Sequence, residues 1–223
     1  MTAVPESVVR GCDARVRRAR GVDTRRLLLT TAERLYAQHG LAGVSNRQVA
    51  ECAGQANNSA VAYHVGTKTD LVLAVVRAHT GPMNEIRATM LDAADGSPDL
   101  RDHLACLVLP LTRHLADLGT PSWYARFAAQ LDTDPALRAL VVAETMATPE
   151  MRRAIEAVRA HVPDQPLPVK MLRVQMARHA ILHTCAEHER VLAEGPAPEL
   201  GWEELGQLIL DGLVGLYTAP TRR

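Results

Sequence analysis

Between residues 57 and 68 the chain carries a run of small hydrogen-bonding groups followed by larger ones: Asn57, Asn58, Ser59 and Ala60, then Tyr63, His64, Thr67 and Lys68. This is chemistry suited to a nucleic acid. An Asn amide pairs with an adenine edge, a Ser hydroxyl with either kind of edge, and an Ala methyl touches thymine. Tyr, His, Thr and Lys are placed to meet phosphate oxygens. Ser45 and Arg47, a little upstream, could join them. Each residue also has a local alternative. Asn and Ser cap helices, Arg47 fits a solvated helix face, and Tyr63 and His64 fit a core.

A second set lies near the C-terminus. His179 and His183 are four apart, and Cys185 and His188 three apart, so each pair shares a helix face. Such pairs can hold a transition metal. No close second cluster completes a site, so packing and hydrogen bonding are expected instead, with no metal and no cofactor. His103, Cys106 and His114 share no clean spacing. A third set is aromatic. Trp123, Tyr124 and Phe127 hold three of the seven aromatic residues within five positions. They make either core or the wall of a small-molecule pocket, to which Arg126 and His103 could add polar contacts.

The elements that must position these groups are helices. Ser45 and Gln48 have capping-box spacing, and Val44 and Val49 are placed as a hydrophobic staple. Val49, Cys52 and Ala53 form a small apolar face. Gly54 ends that helix, since glycine enters the left-handed region without steric cost. Asn57 or Asn58 caps the next, with Val61 inward and Asn58, Ser59, Ala60 and Tyr63 outward. Thr67 with Asp70 three residues on caps another, whose free N–H groups add to phosphate binding. This is the helix-turn-helix arrangement, in which the second helix enters a major groove.

Asp23 or Thr24 starts a first long helix that ends near His39-Gly40, with Leu28, Ala32, Leu35 and Tyr36 on one face. A helix from Lys68 is expected to stop at Gly81-Pro82. Ser97-Pro98, Thr120-Pro121, Asp134-Pro135 and Thr148-Pro149 read as helix starts, and Pro110 as a kink or a split. Two final helices are expected at about 169–192 and 202–217. The first is apolar on two faces, and the second carries Gly206, Gly212 and Gly215, which suit close helix–helix approach. No strand is expected.

The stretch AERLYAQHGLAGVSNRQVAECAGQANNSAVAYHVGTKTDLVLAVV resembles the DNA-binding domain of TetR-type (TetR/AcrR) transcriptional regulators. The marks are Ala32, Leu35-Tyr36-Ala37, His39-Gly40, Ser45, Val49-Ala50, Ala53-Gly54, and Tyr63-His64 before Gly66-Thr67-Lys68. The likeness covers residues 24–80, about a quarter of the chain. Val65 stands where the family commonly has Phe, and the turn with its recognition helix is one residue longer. The resemblance implies an all-α fold, DNA contacts from the residues singled out above, a ligand pocket in the C-terminal part, and a homodimer through the last two helices.

Composition agrees. Apolar residues at 47% and charged residues at 22% fit a soluble globular chain. Residues 1–80 hold 11 Arg/Lys against 6 Asp/Glu, a net +5, and residues 81–223 hold 14 against 19, a net −5. Attraction for phosphate is thus concentrated in the N-terminal part. Four scattered cysteines argue for reduced thiols, and no apolar run suggests a membrane span or signal peptide, so a cytoplasmic protein is expected. Three segments follow: a basic flexible arm (1–22), a helix-turn-helix domain (23–80), and a ligand-binding and dimerisation domain (81–223). The expected function is a sequence-specific repressor, not an enzyme, that binds a near-palindromic operator as a homodimer and is released by a small molecule. The alternatives are a non-specific architectural DNA binder and a helical metal-dependent enzyme using the His/Cys residues.

Overall fold

A computed structural model describes residues 6–55, 57, 59–195 and 200–220, with side chains from residue 23 onward. Ten helices and no strand are present among the described residues. No helix is long and apolar enough to cross a membrane. The chain divides into two compact units, Met1–Val75 and Val76–Arg223.

The first unit begins with α1, Glu6–Gly43. It starts before the Asp23 or Thr24 expected from sequence. Nothing between Pro5 and Asp23 breaks a helix, and Arg and Ala are good helix formers. Gly40 (φ 74°, ψ 159°) leaves helical geometry, as the His39-Gly40 step led one to expect. Helices α2 (Asn46–Cys52) and α3 (Ala60–His64) pack on α1 and on each other. Leu28, Ala32 and Tyr36 of α1, Val49 of α2 and Val61 of α3 are fully buried. So are Leu71 and Val72 from the start of α4 (Lys68–Ala93).

Helix α4 runs on through Gly81-Pro82, where a stop was expected. The residue before a proline is pushed out of the helical region chiefly by its own Cβ. Gly81 has none.

The second unit adds α5 (Leu100–Leu118), α6 (Tyr124–Thr133), α7 (Pro135–Met146), α8 (Pro149–His161), α9 (Leu167–Glu194) and α10 (Trp202–Thr218). Two of the four proline signals mark helix starts as expected. Asp134 accepts from the N–H groups of Ala136 and Leu137 at 2.9 and 3.1 Å ahead of Pro135, and Thr148 precedes Pro149. The other two lie outside helices. Asp99, not Ser97, caps α5, and Trp123 precedes α6.

Pro110 does not split α5. Its missing N–H strands the carbonyl of Cys106, four residues back. Buried Arg87 of α4 donates to that oxygen through Nε at 3.1 Å, so the lost bond is replaced from a neighbouring helix.

Helix α5 packs on α10 and α8, and α6 packs on α9. At Gly206 of α10 a Cβ would meet Thr112 Oγ1 at 2.6 Å and Leu109 Cδ2 at 2.9 Å, so this glycine permits close approach to α5. Gly212 and Gly215 face open space. The Gly206→Ala protein should be less stable by about 1–3 kcal/mol in urea unfolding. Gly212→Ala should cost nothing in the isolated chain, because alanine suits a helix interior better than glycine.

Candidate nucleic-acid interface

The helix-turn-helix is built from short-range contacts. Ser45 Oγ accepts from the Gln48 N–H at 3.3 Å, and Gln48 Oε1 accepts from the Ser45 N–H at 2.8 Å, completing the capping box. Val44 and Val49 on either side are buried. Gly54 (φ 66°) takes the left-handed turn that ends α2. Asn57 Oδ1 accepts from the Ser59 N–H at 2.9 Å in the turn before α3, whose N-cap position is Ser59, without a side-chain cap bond, instead of the expected Asn. Two further bonds fix the next turn: Thr67 Oγ1 donates to Asp70 Oδ2 at 2.7 Å, and the Asp70 N–H donates to Thr67 Oγ1 at 3.1 Å. Gly66 (φ 119°) precedes them, and a Cβ there would lie 2.7 Å from Asp70 Oδ2.

These caps hold out one surface. Tyr63 is 84% exposed, in a helix whose Val61 is fully buried. Asn57, Ser59 and Thr67 are exposed beside it, and His64 is half-buried with its ring 4.8 Å from that of Tyr63, edge to face. Arg47 is exposed on α2 and bonded through Nε to Glu51 at 2.7 Å. Ser45 is exposed at the backbone turn, but its hydroxyl belongs to the cap. Asn58 lies outside the described residues.

Three expectations change. Ala60, read as outward, is buried at 6% exposure, while Ala62 is exposed. In so short a helix both alanines neighbour Val61, and only packing decides which one turns inward. Cys52, read as part of the apolar face of α2, is exposed, and Ala50 is buried in its place. Lys68 does not reach outward. Its ammonium donates to the carbonyls of Leu41 and Val44, the latter at 2.6 Å, and stands 5.7 Å from the Tyr36 ring centre. Partial desolvation there lowers the Lys68 pKa. It ties the C-terminal end of α1 and the residue after it to the start of α4. The Tyr36 hydroxyl is pushed up to about 12 by burial.

In the second unit, the residues proposed for a ligand are divided between two places. Phe127 and Tyr124 are buried, and Trp123 is half-buried with the Arg126 guanidinium 4.4 Å over its ring. Arg126 is already committed, with its Nε 3.1 Å from the buried carboxylate of Glu189 on α9. Glu189 also accepts from Ser122 Oγ at 2.8 Å and from the N–H groups of Ala125 and Arg126 at 3.2 and 2.9 Å. The aromatic cluster is therefore core around a helix cap. His103 lies elsewhere, stacked on His161 at 4.0 Å with Nε2 2.9 Å from the Ser97 carbonyl. Next to Tyr124 is a buried pair that sequence spacing did not reveal. His79 Nδ1 and His114 Nε2 are 2.8 Å apart, and the His79 ring stacks on Tyr124 at 3.8 Å. Burial, reinforced by His79, brings the His114 pKa down to about 4.

No family model matches the sequence, and no curated protein does. Solved structures do. The TetR-family transcriptional regulator PfmR of Thermus thermophilus superposes with a TM-score of 0.50 at 13% identity, over 89% of this chain and 97% of that one. The chain has the TetR-family fold. A structure from Mesorhizobium loti assigned to the same family gives a TM-score of 0.47 at 16% identity, over 88% and 96% of the two chains.

Within this TetR fold, Ala62 is the outward residue that sequence reasoning passed over, and the burial of its neighbour Ala60 is what reveals it. Tyr63→Ala should leave the melting temperature unchanged and reduce duplex-DNA affinity at least about tenfold, or about 1.4 kcal/mol, in fluorescence anisotropy. Lys68→Met should do the reverse first. Leaving two carbonyls without their donor costs about 1–3 kcal/mol, read in urea unfolding.

A separate expectation concerns pH. His114 is held neutral when folded, with a pKa of about 4 against an ordinary 6.5. Its contribution is whole above pH 6.5 and is lost as pH falls towards 4, by up to about 3 kcal/mol. Unfolding midpoints measured between pH 7 and 4 should show this loss, and His114→Gln should flatten it.

Proposed function

We propose that the protein is a sequence-specific DNA-binding transcriptional regulator of the TetR type, acting as a homodimeric repressor on a near-palindromic operator. The observation that carries this reading is the outward surface of α3. A large, 84% exposed tyrosine sits on a helix only five residues long whose neighbouring positions are small or polar. Leaving Tyr63 in water has no folding benefit, while a small-residue helix with an aromatic hydroxyl at its edge can approach base edges and phosphates closely. Asn57, Asn58, Ser59 and Ala62 are assigned to the bases. Tyr63, His64, Arg47 and Thr67 are assigned to the backbone phosphates, with Ser45 near them. Lys68 positions the unit instead of touching DNA. The basic segment 1–22 adds phosphate attraction.

The dimer is assigned to α9 and α10. Leu167, Met171, Leu172, Val174 and Met176 of α9 are 47–68% exposed, and Leu208 of α10 is 58% exposed. Together with the open faces of Gly212 and Gly215 they put large apolar side chains of both helices in water, which suits a contact with a second chain. A small-molecule effector bound in the second unit would favour a dimer whose two reading helices no longer fit both half-sites.

The test is selection of bound sequences from random duplex DNA, with the mass of the protein measured in solution. A dimer that enriches a near-palindrome supports the reading. Weak, salt-sensitive binding to every sequence, or no binding by protein refolded free of ligand, overturns it. Leu208→Glu should shift the mass towards the monomer and lower operator affinity about a hundredfold, or about 2.7 kcal/mol.

A further inference from the structure

The spacing of His179 and His183 raised metal binding, and the sequence supplied no third ligand. The fold supplies one. Asp132, near the end of α6, is buried, with its side chain 4% exposed. His179 Nε2 lies 3.2 Å from Asp132 Oδ2, and His183 Nε2 lies 3.9 Å from the same oxygen. The other oxygen, Oδ1, is 2.7 Å from Arg178 Nε. One carboxylate therefore faces two imidazoles one helical turn apart on α9, with its far oxygen held by a guanidinium.

We propose that Asp132, His179 and His183 form a binding site for a divalent transition metal of the zinc class. Two nitrogens and one carboxylate oxygen are the donor set such ions take, with a fourth position left for water.

The distances fit a small closure. With metal–ligand bonds of about 2.0–2.2 Å, a tetrahedral ion separates two donors by about 3.4 Å. His179 is already inside that separation. His183 has to move in by about 0.5 Å. The groups are therefore not a closed metal-binding set as they stand among the described residues. The two histidine side chains are 43% and 50% exposed, so their rings are free to turn and an ion from solvent can reach them.

Hydrogen bonding alone does not account for the arrangement. At 3.9 Å, His183 is beyond hydrogen-bond reach of Oδ2. Arg178 Nη2 stands 3.4 Å from His179 Nε2. A metal ion at the site would take the His179 Nε2 lone pair in place of that long contact. Arg178 pairs its charge with Oδ1 at 2.7 Å and leaves Oδ2 to face the two imidazoles. Its positive charge also weakens the hold on the ion. The site joins α6 to α9, so a bound ion stabilises that packing. Any further role as an effector rests on the regulatory reading above.

The experiment is titration of Zn2+ into chelator-stripped full-length protein by calorimetry, with Co2+ absorption reporting ligand geometry. The wild type should take up one ion per chain, with a visible Co2+ band and a raised melting temperature. His183→Ala changes a half-exposed residue and keeps the fold. It should lose at least about tenfold in affinity with its metal-free melting unchanged. Absence of saturable uptake at one ion per chain overturns the proposal. So does undiminished, wild-type affinity in both His179→Ala and His183→Ala, which would place the ion on other histidines. DNA binding with and without Zn2+ is read separately, so loss of the regulatory reading leaves the metal result standing.

Discussion

An all-helical chain must dispose of the backbone groups that its helix ends and prolines leave unpaired. In this protein long charged side chains from other elements do much of that work. Lys68 closes the carbonyls of Leu41, in the last turn of α1, and Val44, just beyond it. Arg87 replaces the bond that Pro110 removes from Cys106. Arg173 of α9 donates to the carbonyls of Tyr217 and Ala219 at the end of α10, the first at 2.7 Å. Glu189 does the converse and accepts from N–H groups at the start of α6. Each contact settles a helix end or, at Pro110, a gap within a helix, and docks one segment on another.

Glu189 illustrates the energetic stakes. A carboxylate 1% exposed would be costly without partners. It has a guanidinium, a hydroxyl and two backbone N–H groups, so its oxygens are well supplied. Removing one partner of such a buried pair costs about 3–5 kcal/mol. The aromatic cluster beside it inherits its position from that cap. Trp123 precedes α6, Arg126 lies over its ring, and Tyr124 and Phe127 turn into the core.

Local signals in the sequence carried far, and tertiary ones did not. The Ser45–Gln48 and Thr67–Asp70 boxes, the Gly54 turn and the Asp134-Pro135 start each depend on residues within four positions, so they could be read directly. The all-α class followed from helical spacing throughout. Pro82 does not end α4, where Gly81 lacks a Cβ, and of the kink or split expected at Pro110 the split does not occur, an arginine 23 residues earlier in the chain supplying the lost bond. Lys68 was read outward because nothing near it in sequence announces two carbonyls waiting 24 and 27 residues upstream. Asp132 escaped notice as a partner of His179 and His183 for the same reason. In α3 Val61 inward and Tyr63 outward hold, and Ala60 alone departs from the expected face, because Ala60 and Ala62 are chemically identical and flank the same valine.

The choice of lysine at position 68 has a practical side. The chain has two lysines among 25 basic residues, Lys68 and Lys170. A compact ammonium suits two converging carbonyls better than a planar guanidinium fork does. The Lys68 ammonium is held against those carbonyls and the Tyr36 ring, so a reagent in solution reaches it less readily than a side chain in open water. Lys170 is exposed, with only Asp164 at 2.7 Å. Amine-directed reagents applied to the native protein should therefore tag Lys170 well ahead of Lys68. A dye placed at Lys170 would sit near the start of α9 while leaving α3 unmodified.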